Sequence, residues 1–166
     1  MKKLSIYLLL LAFSGQVFAQ VIELPEIEIT AVNYKYLSSV DSDDTPISVK
    51  MLQEKVAMFD LKSSEFYNDE YATYNISFYI PDGKILAAYD KNGKLIRTIE
   101  KYKDIKLPIA VREAIAERFP NWIAVGDVYR VNFHYMNEIT DKFYKVRLEN
   151  GNKKMKVKIT EKGDFM

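Results

Sequence analysis

Cysteine is absent from this chain, and histidine occurs once, as His134. The first absence excludes disulfides, thiolate nucleophiles, Cys-based zinc sites and lipid-modified cysteines. The second excludes metal centres built on two or three imidazoles. No apolar run reaches the roughly 20 residues that a membrane-spanning helix needs. Neither a Gly-rich phosphate loop nor a paired-His motif occurs. Neither sign of charge dominates: 24 basic and 23 acidic residues leave a formal +1, which gives no reason to expect nucleic acid. What is present, 28% charged and 48% hydrophobic residues over 166 positions, is the balance of one globular domain or two very small ones.

The first residues carry an export pattern. Met1-Lys2-Lys3 is basic, Leu4 to Phe13 is mostly apolar, and Val17-Phe18-Ala19 places small residues before Gln20. A basic start, a short apolar stretch and a small residue at the boundary predict a secretory signal peptide over residues 1–19, cleaved after Ala19. The expected location is periplasmic or secreted. With no Cys after the apolar stretch, the chain is not expected to be a lipoprotein. The mature chain would have no transmembrane span and a net charge of −1.

Residues 20–45 read as an extended, acidic lead-in. Ile22, Leu24, Ile27 and Ile29 interleave with Glu23, Glu26 and Glu28, and Pro25 confines such a segment to an edge or a loop. Ser38 to Thr45 is polar, acidic and expected to be mobile. Residues 46–61 fit a helix and a strand equally, because periodicity does not decide short stretches.

Beyond that point period two takes over. Tyr74, Ile76, Phe78 and Ile80 alternate with polar residues and predict a strand. Pro81-Asp82-Gly83 and Asp90-Lys91-Asn92-Gly93 predict turns on either side of a second strand. Lys94 to Lys101 predicts a third, with Leu95, Ile96 and Ile99 as its apolar residues. Leu107, Val111, Ala114, Ile115 and Phe119 then form one helical stripe between Pro108 and Pro120. Tyr129, Val131, Phe133 and Tyr135 share a strand face opposite Arg130, Asn132 and His134, and residues 137–141 read as a loop. Two last strands put Tyr144, Val146 and Leu148, then Met155, Val157 and Ile159, inward, with Lys154, Lys156 and Lys158 outward. The fold class is therefore α+β: antiparallel hairpins with the 107–119 helix packed on one face.

Two stretches echo each other. Phe78–Gly83, a strand and Asp90–Gly93 match Val146–Gly151, a strand and Thr160–Gly163, and Pro46-Ile47-Ser48-Val49 echoes Pro108-Ile109-Ala110-Val111. The pattern predicts one 46–166 domain, built as a degenerate tandem of helix-plus-hairpins units over 46–104 and 105–166. The order Leu107-Pro108, Val111, Ala114-Ile115, Phe119-Pro120, Tyr144-Lys145-Val146, Leu148, Asn150-Gly151 and Gly163 resembles the PepSY-like, β-lactamase-inhibitor-like domains secreted by Bacteroidetes-type bacteria. The resemblance covers residues 105–166, and 46–104 more loosely. It implies small α+β units, often in tandem, without enzymatic activity. No inhibitory residue matches position by position.

The chemistry in the residues points the same way. Seven serines follow residue 19, but only His134 could act as an imidazole base, and no nucleophile motif accompanies it. Asp90 and Asn92 start like a calcium loop, yet its twelfth position is Lys101 and not an acid. No catalytic residue, metal or cofactor is expected. Charge is uneven, however: residues 20–70 carry −7 and residues 142–166 carry +5. The expectation is a binding module that docks on another macromolecule, an unknown protein or an envelope polymer, through a sheet face. An inhibitor-like role is one form of it. The candidate contact residues are Tyr67, Tyr71, Tyr79, Arg130, His134, Lys154, Lys156 and Lys158. The alternatives are a small carboxylate-dependent envelope hydrolase or transferase, and a structural envelope protein.

Overall fold

Among the described residues, each of six strands pairs only with its neighbours in sequence, so a single antiparallel sheet of order β1-β2-β3-β4-β5-β6 results. The computed structural model describes residues 33–136 and 139–166. The signal-peptide reading of residues 1–19, and the lead-in up to residue 32, lie outside them. Helices α1 (Tyr34–Val40) and α2 (Ile47–Ala57) precede β1 (Thr73–Ile80), β2 (Gly83–Asp90) and β3 (Leu95–Lys103). Helix α3 (Ile109–Arg118) precedes β4 (Ile123–His134), β5 (Ile139–Asn150) and β6 (Lys153–Thr160). The element order over 46–104, a helix and three strands, thus recurs over 105–166, and both halves share one continuous sheet. Among the described residues, no helix is long and apolar enough to cross a membrane.

All three helices contribute to the core on one side of the sheet, called here the inner face. Tyr36 and Val40 of α1, Val49, Leu52 and Val56 of α2, and Val111 and Ile115 of α3 are buried in it. Tyr102, Tyr129 and Tyr144 stand opposite one another on β3, β4 and β5, their rings stacked at 6.0 and 4.6 Å. Gly83 extends this row on β2, where a Cβ would lie 2.3 Å from the Tyr102 ring. Glycine leaves that ring room to lie across the strand. Gly163 does the same for α3: with φ +92° it turns the tail so that the backbone passes Ala110 and Ala114, and Phe165 meets Phe119 edge-on at 5.5 Å. Ile115 is 5% exposed, so Ile115→Ala should cost about 2–5 kcal/mol in chemical denaturation. A loss under about 0.5 kcal/mol would place it at the surface.

Three stretches differ from the sequence reading. A helix, α1, stands where the pattern predicts an extended, acidic lead-in whose last part, from Ser38, is mobile. Its seven residues show no long apolar stripe; what holds them is tertiary, through buried Tyr36 and Val40. The loop expected over 137–141 is shorter, since β5 begins at Ile139. In β3 the apolar residues are not all inward. The register with β2 shifts between Ala88 and Tyr89, where Tyr89 opposes Leu95 and Ala88 opposes Arg97, so Ile96 is an extra residue. Such a bulge reverses the alternation beyond it. Ile99 is turned outward and Glu100 inward, where it is 0% exposed.

Glu100 is the organising polar group of the interior. Its carboxylate accepts hydrogen bonds from Tyr36 Oη (2.8 Å), Gln53 Nε2 (2.9 Å), Thr98 Oγ1 (2.9 Å) and Tyr102 Oη (2.8 Å). These donors come from α1, α2 and β3, so one side chain ties both N-terminal helices to the middle of the sheet. Burial pushes the Glu100 pKa above its usual value, and the four hydrogen bonds oppose that rise. At the hairpin end, Asn33 makes a second tie: its amide donates to Ala57 O and its oxygen accepts from Leu95 N.

Candidate docking face

Among the described residues, the other side of the sheet carries no helix, and its composition follows from strand alternation and register. Residues directly opposite one another in antiparallel strands point to the same face. One row runs Tyr79, Lys84, Lys101, Arg130 and Phe143 across β1 to β5. The next row toward one end of the sheet runs Lys103, Val128, Lys145 and Lys158, and beyond it Arg147 opposes Lys156. On the other side lie Leu86, Ile99, Asn132 and Asp141, then Ala88, Arg97 and His134. The outer face is thus basic with an apolar strip. Leu86 and Ile99 are each 37% exposed, and Tyr79 is 66% exposed.

The electrostatics of this face are those of crowded like charge. Lys103, then loss of hydration, then Arg130 and Lys84 hold the Lys101 ammonium below its usual pKa. Acids are few there: Glu149 is paired with Lys154 at 3.2 Å, and Asp141 is exposed. The Phe143 ring lies under Lys158 Nζ at 4.1 Å and Lys145 Nζ at 5.9 Å, which gives these ammonium groups a cation–π partner. Two buried nitrogens on the face, Arg130 Nε and His134 Nδ1, have no hydrogen-bond partner among the described residues.

A cleft of about 360 Å³ opens at one end of the face, lined by Lys103, Lys145, Arg147 and Lys156 together with Asp104, Gly126, Asp127 and Val128. Asp104 Oδ1 accepts from Asp127 N at 3.2 Å. Asp127 itself opposes Val146, a buried inner-face residue. The Ile105 N–H donates to its carboxyl, and its Oδ1 is buried without a hydrogen-bond partner among the described residues. Burial and the nearby Asp104 charge raise its pKa to about 6. A carboxyl raised in the folded state makes a contribution present below its unfolded pKa of roughly 4 and lost as pH rises through about 6. Asp127→Asn should therefore flatten the fall in thermal stability between about pH 4 and pH 7; an unchanged slope would contradict this.

Six of the eight sequence candidates meet on the outer face: Tyr79, Arg130, His134, Lys154, Lys156 and Lys158. The other two lie elsewhere. Tyr67 is half-buried and stacks on Tyr74 at 5.8 Å, at the inner side of the sheet edge. Tyr71 is 57% exposed and meets Tyr74 edge-on. The sequence reading missed Lys84, Lys101, Lys103, Lys145 and Arg147, which reach the face from three different strands.

No family model matches the chain, and no curated protein does. Solved structures do. A BLIP-like protein from Bacteroides fragilis is 21% identical with a TM-score of 0.32, over 58% of this chain and 66% of that one, just under two thirds of its length. A protein of the DUF2874 family from Bacteroides ovatus is 14% identical with a TM-score of 0.36, over 75% of this chain and 86% of that one. The chain is thus similar to a BLIP-like Bacteroides protein over part of its length. Neither neighbour is described as PepSY-like.

Proposed function

We propose that the chain is an exported, non-enzymatic binding module that docks on an acidic protein surface through the outer face of its sheet. The observation that supports this most is the central row of that face, where Lys84, Lys101 and Arg130 stand between Tyr79 and Phe143 with no helix above them among the described residues. So many lysines and arginines on one face cost self-repulsion unless something anionic meets them. A highly hydrated polymer would have no use for the adjoining strip of Leu86 and Ile99. An acidic protein surface would use both, since interfaces join an apolar centre to a polar rim and are enriched in Tyr and Arg. Occlusion of an enzyme is one form such docking would take.

The test is capture of partners from periplasm and culture medium by the mature chain, with identification by mass spectrometry. Wild type should retain a protein that the double variant Lys101→Glu/Arg130→Glu does not. Equal capture by both would remove the outer face from the account. Export is checked separately: N-terminal sequencing of the exported protein should begin at Gln20, and recovery of Met1 would contradict cleavage.

A further inference from the structure

Among the described residues, β1 and β6 are the two edge strands of the sheet, and they are built differently. The β6 edge carries Lys153, Lys154, Lys156 and Lys158, and the tail folds back on it through the Ile159–Phe165 bridge. Lysines and a covering segment are the usual defences of an edge strand. Among the described residues, the β1 edge has neither. Its sequence, TYNISFYI, contains no charged residue and no proline. No backbone hydrogen bond from β1 reaches anything except β2 among the described residues.

From this we propose that β1 pairs antiparallel with β1 of a second copy of the chain about a two-fold axis, joining two sheets into one. The hydrogen-bond phase favours this pairing. Ile80 and Gly83 flank a two-residue turn, so they exchange both backbone bonds, and Phe78, Ile76 and Tyr74 do likewise with their partners on β2. The N–H and C=O groups of Thr73, Asn75, Ser77 and Tyr79 therefore point to the free edge. An axis at Ile76 uses all four: Thr73 faces the second copy's Tyr79, and Asn75 faces its Ser77. Every facing pair then keeps its side of the sheet, because the register sum is even.

Charge complementarity selects a second copy as the occupant. The loop before β1 carries exposed Glu65, Asp69 and Glu70. The other end of the strand is flanked by Lys84, Lys101 and Lys103, which line one cleft with Tyr79, Ile80 and the turn containing Asp82. Antiparallel pairing sets the acidic end of each copy beside the basic end of the other, while the uncharged strands meet between them. The same operation brings exposed Phe66 (56%) and Tyr71 (57%), which border the first half of β1, next to the other copy's Ile80 and Pro81. A closed two-fold contact of this kind is self-complementary and does not propagate.

The experiment uses the mature chain, which has no native cysteine. Sedimentation analysis over a concentration series should show a monomer–dimer equilibrium, weakened by added salt. Ser77→Pro removes one outward N–H without touching the β2 ladder, and it should give a monomer with an unchanged circular dichroism spectrum. Ile76→Cys places two thiols at the axis, where facing Cα atoms of a non-hydrogen-bonded pair are about 4.5 Å apart, within disulfide reach. It should cross-link to a dimer under mild oxidation, while Lys154→Cys on the far edge should not. A wild type that stays monomeric at its highest soluble concentration, together with no cross-link in the Ile76→Cys variant, would overturn the proposal. So would a dimer that survives Ser77→Pro. Because none of these variants alters the central basic row, their outcome does not bear on capture through the outer face.

Discussion

Glu100→Ala is expected to unfold this protein at a markedly lower denaturant concentration, with a loss of about 3 kcal/mol or more. The substitution leaves four donors on Tyr36, Gln53, Thr98 and Tyr102 without their acceptor, each of them on a residue no more than 2% exposed. A stranded buried polar group costs about 1–3 kcal/mol, and water entering the vacated space recovers only part of that. Glu100→Gln keeps the volume and one acceptor oxygen, and its hydroxyl neighbours can rotate to accept from the new amide. It should cost less than about half as much. The pH dependence has a definite sign. Because burial raises the folded pKa of Glu100 above its usual value, its contribution is present at low pH and declines as pH rises through the folded pKa. Glu100→Gln should lack that decline. Equal losses for Ala and Gln would contradict this, since Gln keeps the volume and one acceptor and should then cost less.

Reversing the centre of the outer face is expected to abolish capture. Lys101→Glu/Arg130→Glu replaces two cations by two anions in the row that Tyr79 and Phe143 bracket. Against an acidic surface it replaces attraction by repulsion, which costs several kcal/mol. A loss of at least ~100-fold in affinity, about 2.7 kcal/mol, is the expected scale. Lys55→Glu/Arg112→Glu makes the same change on exposed positions of α2 and α3 and should leave affinity within about threefold. Comparable losses in both pairs would mean that net charge, and not this face, governs binding.

Period two is what made β1, β5 and β6 legible. Residues such as Tyr144, Val146 and Leu148 are buried on one side only, so their alternation is written in the sequence. The same holds for Lys154, Lys156 and Lys158, which share a face because they share a strand. The rest of the basic face was not legible, because Lys84, Lys101, Lys103 and Lys145 become neighbours of Arg130 only through register, and register is set by pairing across strands. Glu100 was hidden for a related reason. The extra residue at Ile96 reverses the alternation, so a reading in phase with Leu95 points Ile99 inward and a glutamate outward. Helix α1 left no periodic trace because two buried side chains, Tyr36 and Val40, hold it in place.

The most direct test of docking through the outer face is thiol footprinting, since every introduced cysteine is the only one in the chain. Ile99→Cys lies in the apolar strip of that face, and Lys55→Cys lies on α2 across the sheet. Alkylation rates of the two variants would be measured with and without the partner that wild type retains. The account predicts that the partner slows labelling of the Ile99→Cys variant at least ~10-fold and leaves the Lys55→Cys variant unchanged, as expected for a fully desolvated interface centre. Protection of the thiol on α2, with free labelling of the one in the apolar strip, would contradict it.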